Sequence, residues 1–467
     1  MTSPSRALFE GTRQAARQAS CLVVIALVAG CSSHPATSGL DAQAPNDGNV
    51  PDVGTGGQRG TEGDGGSVDA PLDVADAGPD ATSDDGMAPA VDSSADHDPG
   101  PGAETWAPRD VLAQRMSSFF WNRADVDPQV AAAVQAATSA DDLSTLAGVM
   151  LTDPRARDGV AAFFTWWLRL ADLATSPKDD PDGIFTADVR ASMQREAPAF
   201  GTSVILDGDA RYETLMTAPY TFMDATLAQH YGVAGVTGSE MRQVAYGTPA
   251  RIGLLGEASV LARFAGNTNP TWPPRRFWLI RQTVLCRRGL SSAVPINTSA
   301  FTISPDEPLR GQLDDLTAPT SPVNCHACHV IVNPVGYAFL KFNTFGQYWD
   351  DGPAGPFDDQ PGTLPAGVFF DQDLTFADQP DLLRQLQALP EARECFAWIV
   401  LNFAVSRPSS SDPTSFASAL EPSLPPLATA FQASDGDIRQ LMAGVVRTPG
   451  FLQTTAPVTT DAATPGP

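Results

Sequence analysis

The chain has 467 residues and a formal charge of −25, from 54 acidic and 29 basic side chains. The length allows two or three domains with a sizeable core. The acid excess argues against nucleic acid as a partner, since phosphate binding needs Lys and Arg, and against charge-driven docking on an anionic membrane.

From the N-terminus, residues 1–30 read as a lipoprotein signal peptide. Arg6, Arg13 and Arg17 give a basic start, and Leu22–Leu27 an apolar segment. The apolar run Cys21 to Gly30 is too short to span a bilayer. Leu27-Val28-Ala29-Gly30-Cys31 then resembles a bacterial lipobox. Small Ala29 and Gly30 let a peptidase groove close on the backbone, and Cys31 offers the thiol that takes a diacylglycerol. An ordinary signal peptide with a chance cysteine is the plainer alternative. Ser32, not acidic, implies by the same resemblance the outer membrane of the cell envelope, with acyl chains anchoring the protein without a spanning helix.

Residues 32–104 hold fifteen acids and one base, Arg59, so this stretch carries −14 and has no aromatic residue. Together with Cys31 it reads as a disordered, self-repelling tether rich in Gly, Asp, Pro and Ala, unable to bury enough apolar area to offset ordering. Calcium binding is the alternative, but no glutamate closes an EF-hand loop there and no regular repeat occurs.

From Trp106 apolar residues fall at helical spacing. The pattern predicts helices over Arg109–Arg123, from Asp141-Asp142 to Asp153-Pro154, and over Ala156–Leu173, Thr186–Val204, Phe222–Tyr231, Ala250–Phe264, Arg276–Leu285, Leu382–Leu389, Glu391–Val405 and Asp435–Val446. No strand–helix alternation suggests a parallel sheet. Residues 292–322, rich in Pro, Ser and Thr, read as a loop or hinge. A Gly/Pro/Asp-rich region near 350–373 holds short extended pieces such as Val368-Phe369-Phe370. The expected fold is mainly α, multi-helical with long ordered loops. Its parts are a helical domain over 105–240, a haem-attachment domain over 241–374, a C-terminal helical domain over 375–455 and a disordered tail over 456–467.

Cys325-His326-Ala327-Cys328-His329 is the Cys-x-x-Cys-His pattern of covalent haem attachment. Two thiols three positions apart reach the two vinyl groups on one porphyrin edge, and His329 gives its imidazole nitrogen to the iron as proximal ligand. Zinc would need four ligands, and no second Cys or His pair stands at short spacing. A redox dithiol would need a strand–helix setting. A Cys325–Cys328 disulfide would leave His329 without a role. The distal ligand stays open: His230, Met216, Met223 and Met442 are candidates whose ordinary reading is core or surface. His326 lies beside the attachment site and is not expected to reach the opposite face. Five-coordinate iron is a further possibility. With Cys21 cleaved, Cys31 lipidated and one haem c on Cys325 and Cys328, Cys286 and Cys395 remain. An oxidising compartment favours their pairing as a disulfide between the helix before the haem segment and the helix after it.

The chain resembles the Planctomycete- and myxobacterial-type cytochrome-c-like proteins built from domains of unknown function. The likeness rests on Leu151-Thr152-Asp153-Pro154-Arg155-Ala156-Arg157, Trp167-Leu168, Arg195-Glu196 and Leu215 to Phe222 with His230-Tyr231-Gly232. It continues through Gly253-Leu254-Leu255, Ser259-Val260-Leu261, Arg275, Trp278, the haem motif, Pro334, Gly336, Phe342 and Gly346, and ends with Cys395, Ala404, Arg407 and Leu441 to Phe451. The resemblance implies a secreted cytochrome-like protein and supplies no substrate. The chain departs from the family pattern where Asn333, Leu340 and Asn343 replace acidic residues, Trp349 an Arg, Ser406 a Gly and Arg276 a Gly. Trp272-Pro273-Pro274 replaces a Ser/Thr-Pro-type turn. The departures near the haem motif remove charges that a proton-transfer role would use.

Two function classes lead from here. The first is a lipid-anchored monohaem c-type cytochrome-like protein, serving electron transfer or as the haem part of a surface oxidoreductase, with an unidentified redox partner. The second is a non-catalytic surface module that binds a partner or glycan, with haem structural or absent. A haem enzyme with an open iron site is a third class.

Overall fold

The computed structural model describes residues 106–267, 273–287, 309–318, 323–349, 351–352, 355–356, 361–364, 366–367, 370–409 and 416–453. The signal peptide, Cys31, the tether and the tail lie outside them. The described protein is mainly α, with small two-stranded antiparallel sheets. None of the described helices is long and apolar enough to cross a membrane.

Helix α1 (Arg109–Trp121) stops where Asn122 adopts the left-handed conformation. Helix α2 (Pro128–Ala136), absent from the sequence reading, opens on Pro128 with Asp127 as its cap. Helix α3 (Ala140–Thr152) begins at a reciprocal capping box between Ser139 and Asp142, so its cap lies ahead of the Asp141-Asp142 pair that the pattern marked. The helix expected over Ala156–Leu173 is two pieces. Helix α4 (Ala156–Trp167) breaks at Arg169, whose φ is 53°, and a 3-10 turn covers Leu170–Ala174.

Helix α5 (Ala187–Thr202), capped by Thr186, runs into a π-turn at Ser203–Asp207, and α6 (Tyr212–Thr217) follows. The helix expected over Phe222–Tyr231 is also corrected. Phe222 and Met223 belong to strand β1 (Tyr220–Met223), where aromatic Tyr220 and Phe222 alternate with the more deeply buried Thr221 and Met223. It pairs antiparallel with β2 (Arg242–Ala245), Tyr220 facing Ala245. Helix α7 (Ala225–Tyr231) starts only at its Asp224 cap. The helix expected over Ala250–Phe264 shrinks to α8 (Ala258–Arg263). Gly253 has φ 61°, and a Cβ there would meet Met216 O at 1.9 Å, so the chain turns sharply before it.

Helix α9 (Pro273–Leu279) starts earlier than the expected Arg276 and passes into a π-turn at Ile280–Val284. Part of the expected loop over 292–322 is helix α10 (Leu309–Thr317), because Leu309 and Leu313, one turn apart, bury against Tyr337 and Leu340. Helix α11 (Val323–Tyr337) carries the Cys-x-x-Cys-His motif. It packs against α9 on one side and α10 on another.

The extended region contains β3 (Asp351–Gly352) paired with β4 (Gly355–Pro356), and β5 (Gly362–Leu364) paired with β6 (Leu374–Phe376). Val368 and Phe369 lie outside the described residues, while Phe370 bridges Ala366. Helices α12 (Gln379–Ala388), α13 (Pro390–Val405), α14 (Leu424–Ala433), α15 (Ile438–Val445) and α16 (Pro449–Gln453) complete the chain. One hydrophobic core runs from Ala107 to Leu452 and draws on all three expected segments. Phe163 and Trp167 of α4 pack on Phe396 of α13, their ring centroids 5.9 and 5.3 Å from it.

Candidate functional site

Helix geometry sets positions 325, 328 and 329 on one side of α11, since residues three and four apart are neighbours on a helix surface. His329 is buried, and its Nδ1 lies 2.9 Å from Asn333 Oδ1, one turn further on. Asn333 is fully buried, and its Nδ2 donates to Leu313 O of α10 at 3.1 Å. That second bond fixes which end of the amide faces the imidazole: Oδ1 can only accept, so His329 Nδ1 carries the proton. The lone pair then belongs to Nε2, the tautomer a metal ligand needs, held by a neighbouring hydrogen bond in the usual way. Burial pushes His329 below its ordinary pKa, with the Asn333 bond acting in the opposite sense, so the imidazole is neutral at pH 7.

Cys328 is a half-buried free thiol, raised by burial. Cys325 lies in the first turns of the same helix. His326 Nδ1 is 2.8 Å from Thr317 O, which ties it to the end of α10.

The candidate distal ligands have other partners. His230 Nε2 is 2.9 Å from Phe345 O, and burial lowers its pKa. Met216, Met223 and Met442 are all packed in the main core. The Cys286–Cys395 disulfide is present, with Cα atoms 5.3 Å apart. It joins the segment leaving α9 and its π-turn to α13, as the cysteine accounting expected.

A second polar cluster escaped the sequence reading. Glu196 of α5, Thr221 of β1 and Glu257 at the start of α8 are all fully buried. Thr221 Oγ1 is 3.2 Å from Glu196 Oε1 and 3.1 Å from Glu257 Oε1. Tyr231 Oη donates to Glu196 Oε1 and accepts from Ala258 N at 2.6 Å. Ser259 N donates to Glu196 Oε2 at 3.0 Å, and Ser259 Oγ to Glu257 Oε2 at 3.3 Å. The buried Arg251 guanidinium lies 4.6 Å from the Tyr231 ring centroid and donates to Gly256 O and Gly346 O. Desolvation raises both glutamates above the ordinary carboxylate range, Glu257 well above it. The available signal was a carboxylate inside an apolar helical stripe, Glu196 among Met193, Ala197 and Phe200.

Residues 110–233 match the family PSD4, described as a protein of unknown function (DUF1592), and residues 251–351 match PSCyt3, described as a protein of unknown function (DUF1588). The first stretch contains Glu196 and Thr221, and the second contains Glu257 and the motif from Cys325 to His329. No curated protein and no solved structure matches the chain.

Proposed function

We propose that the protein is an exported, lipid-anchored monohaem c-type cytochrome-like protein that passes electrons to or from a redox partner, alone or as the haem part of a surface oxidoreductase. The observation that carries this reading is the Cys-x-x-Cys-His motif on a single helix, its histidine buried, neutral and oriented through Nδ1 by Asn333. The bound group would supply one-electron exchange between ferric and ferrous iron. Cys325 and Cys328 would fasten it covalently, and His329 Nε2 would be the proximal ligand. Asn333, itself anchored to α10, stops the imidazole from turning and keeps its proton on Nδ1. The lipobox-like Cys31 and the oxidised Cys286–Cys395 pair support export and a place in the cell envelope, toward the outer membrane. The alternative of a glycan-binding module has less support, since every described tryptophan is buried or half-buried and offers no exposed stacking platform.

The test is the visible spectrum of the protein made with a haem c maturation system. Haem that survives acid–acetone extraction and gives low-spin ferrous bands is expected, and its absence would sink the reading. His329→Ala should abolish those bands while the thioether bonds remain. An unchanged spectrum would remove His329 as the ligand. Spectral change on adding carbon monoxide or cyanide separates an open iron site from a closed electron-transfer one.

A further inference from the structure

Arg276 stands in the middle of α9, the helix packed along α11, and is only 1% exposed. Its Nη1 donates to Leu261 O of α8. Its Nε and Nη2 have no acceptor, and among the described residues it is the one arginine with two such atoms. These two nitrogens form the side-on edge of the guanidinium, whose parallel N–H bonds match the two oxygens of one carboxylate. Phe339, just past the end of α11, lies with its ring centroid 5.9 Å from the guanidinium carbon.

The charges that act on this group among the described residues are cationic. Lys178 is half-buried with its ammonium held by Ala262 O, Gly266 O and Thr344 Oγ1, and the Arg251 guanidinium also acts on Arg276. Burial, with Arg251 adding to it, pushes Arg276 down to about 9, and burial followed by Arg276 pushes Lys178 down to about 7. A buried cation with three of its five N–H donors unmatched is costly, and a matched anion removes that cost.

We infer that the Nε/Nη2 edge of Arg276 seats a carboxylate and, resting on the haem reading above, that this carboxylate is a haem propionate. The propionates are the carboxylates that a haem fixed to α11 brings with it, and α9 is a direct neighbour of that helix. Arg276 is thus a binding residue for the far side of the cofactor, while Cys325, Cys328 and His329 hold the near side and the iron.

The proposal predicts a change of sign on loading. The full mature chain is made with and without a haem c maturation system, as wild type, Arg276→Met and Arg276→Lys. Methionine keeps the apolar stem and removes the charge; lysine keeps the charge and loses the fork. In the haem-free chain Arg276→Met should melt at or above the wild-type temperature, because an unpaired buried charge is gone. In the haem-loaded chain it should melt about 2–4 °C lower, with Arg276→Lys in between. Covalent haem content should be equal in all three, since the thioether bonds do not involve Arg276. The propionate bending band in the resonance Raman spectrum should move in both variants.

Equal melting shifts with and without haem, together with an unmoved propionate band, would overturn the inference and leave the haem reading intact. Wild type without covalent haem would overturn both, and haemochrome content tells the two failures apart. In that haem-free chain, stabilisation by added malonate that disappears in Arg276→Met would assign the edge to a free carboxylate instead of a propionate.

Discussion

Thr221 has one hydroxyl proton and two carboxyl oxygens within reach, at 3.2 and 3.1 Å. If both glutamates were ionised, one of these contacts would set two acceptors against each other in a dry interior. One carboxyl must therefore carry a proton. Glu196 accepts from Tyr231 Oη and from the Ser259 amide, whereas Glu257 accepts only from the Ser259 hydroxyl besides Thr221. Glu257, raised well above the ordinary range by burial and then by Glu196, is the protonated member: it donates to Thr221, and Thr221 donates to Glu196. A folded-state pKa raised above the ordinary 4.5 means that the folded chain binds the proton more tightly than the unfolded chain does. The stability this confers is complete below about 4.5 and is lost as pH climbs from there toward the raised value. Glu257→Gln keeps the hydrogen bond and removes the titration. Denaturant midpoints measured across that window should fall less steeply with pH in the variant than in wild type, and parallel slopes would show Glu257 ionised in the fold. Glu196→Gln should cost about 1–3 kcal/mol, because its amide offers one acceptor oxygen where the Tyr231 hydroxyl and the Ser259 amide use two. At this scale the sequence was legible where the proposed covalent chemistry would demand adjacency. On the haem reading, Cys325, Cys328 and His329 stand together because the porphyrin edge would require it. Asn333 and the glutamate cluster were hidden because their partners come from other elements: Leu313 of α10, Thr221 of β1 and Ser259 of α8.

Helices with a wide apolar stripe could be read from spacing, and α1, α3, α12, α13 and α15 lie close to where the pattern put them. Failures cluster where the stripe is thin or local chemistry overrides it. Helix α2 buries only Val130 and Val134, too few for a periodic signal. Helix α10 is short and lies within a Pro/Ser/Thr-rich stretch, and its reason to exist is a small satellite core built with α11. Strand β1 is four residues long and finds its partner only beyond α7, so nothing local separates it from the helix it precedes. The close approach of α4 to α1 was likewise invisible in sequence. A Cβ on Gly159 would lie 2.1 Å from Phe120 O, so glycine is what lets the two helices touch there. Gly159→Ala should cost about 1–3 kcal/mol through overpacking, read as a lower denaturation midpoint at unchanged slope. An unaltered midpoint would mean that the helices separate there without penalty.

Across the whole molecule the three expected segments share a core. Phe163 and Trp167 need Phe396, and Tyr212 packs on Phe396 and Phe431. The Glu196 carboxylate likewise takes the Ser259 amide from beyond the first segment. A fragment covering 105–240 alone should therefore show no cooperative thermal transition by circular dichroism, and a sharp transition would establish it as an autonomous domain. The Cys286–Cys395 bond spans a separation of 109 residues, with both motif cysteines between its ends. On the proposed exported route the chain would emerge N-terminus first, so Cys286 would meet Cys325 and Cys328 before Cys395 has left the cytoplasm. Shorter loops close more readily. The first thiols that Cys286 encounters are thus the wrong ones, and a premature bond would both block the porphyrin and strand Cys395. On the haem reading, correct wiring then becomes a matter of timing: haem attachment would have to withdraw the two motif thiols early, or thiol–disulfide exchange would have to release them before α13 arrives.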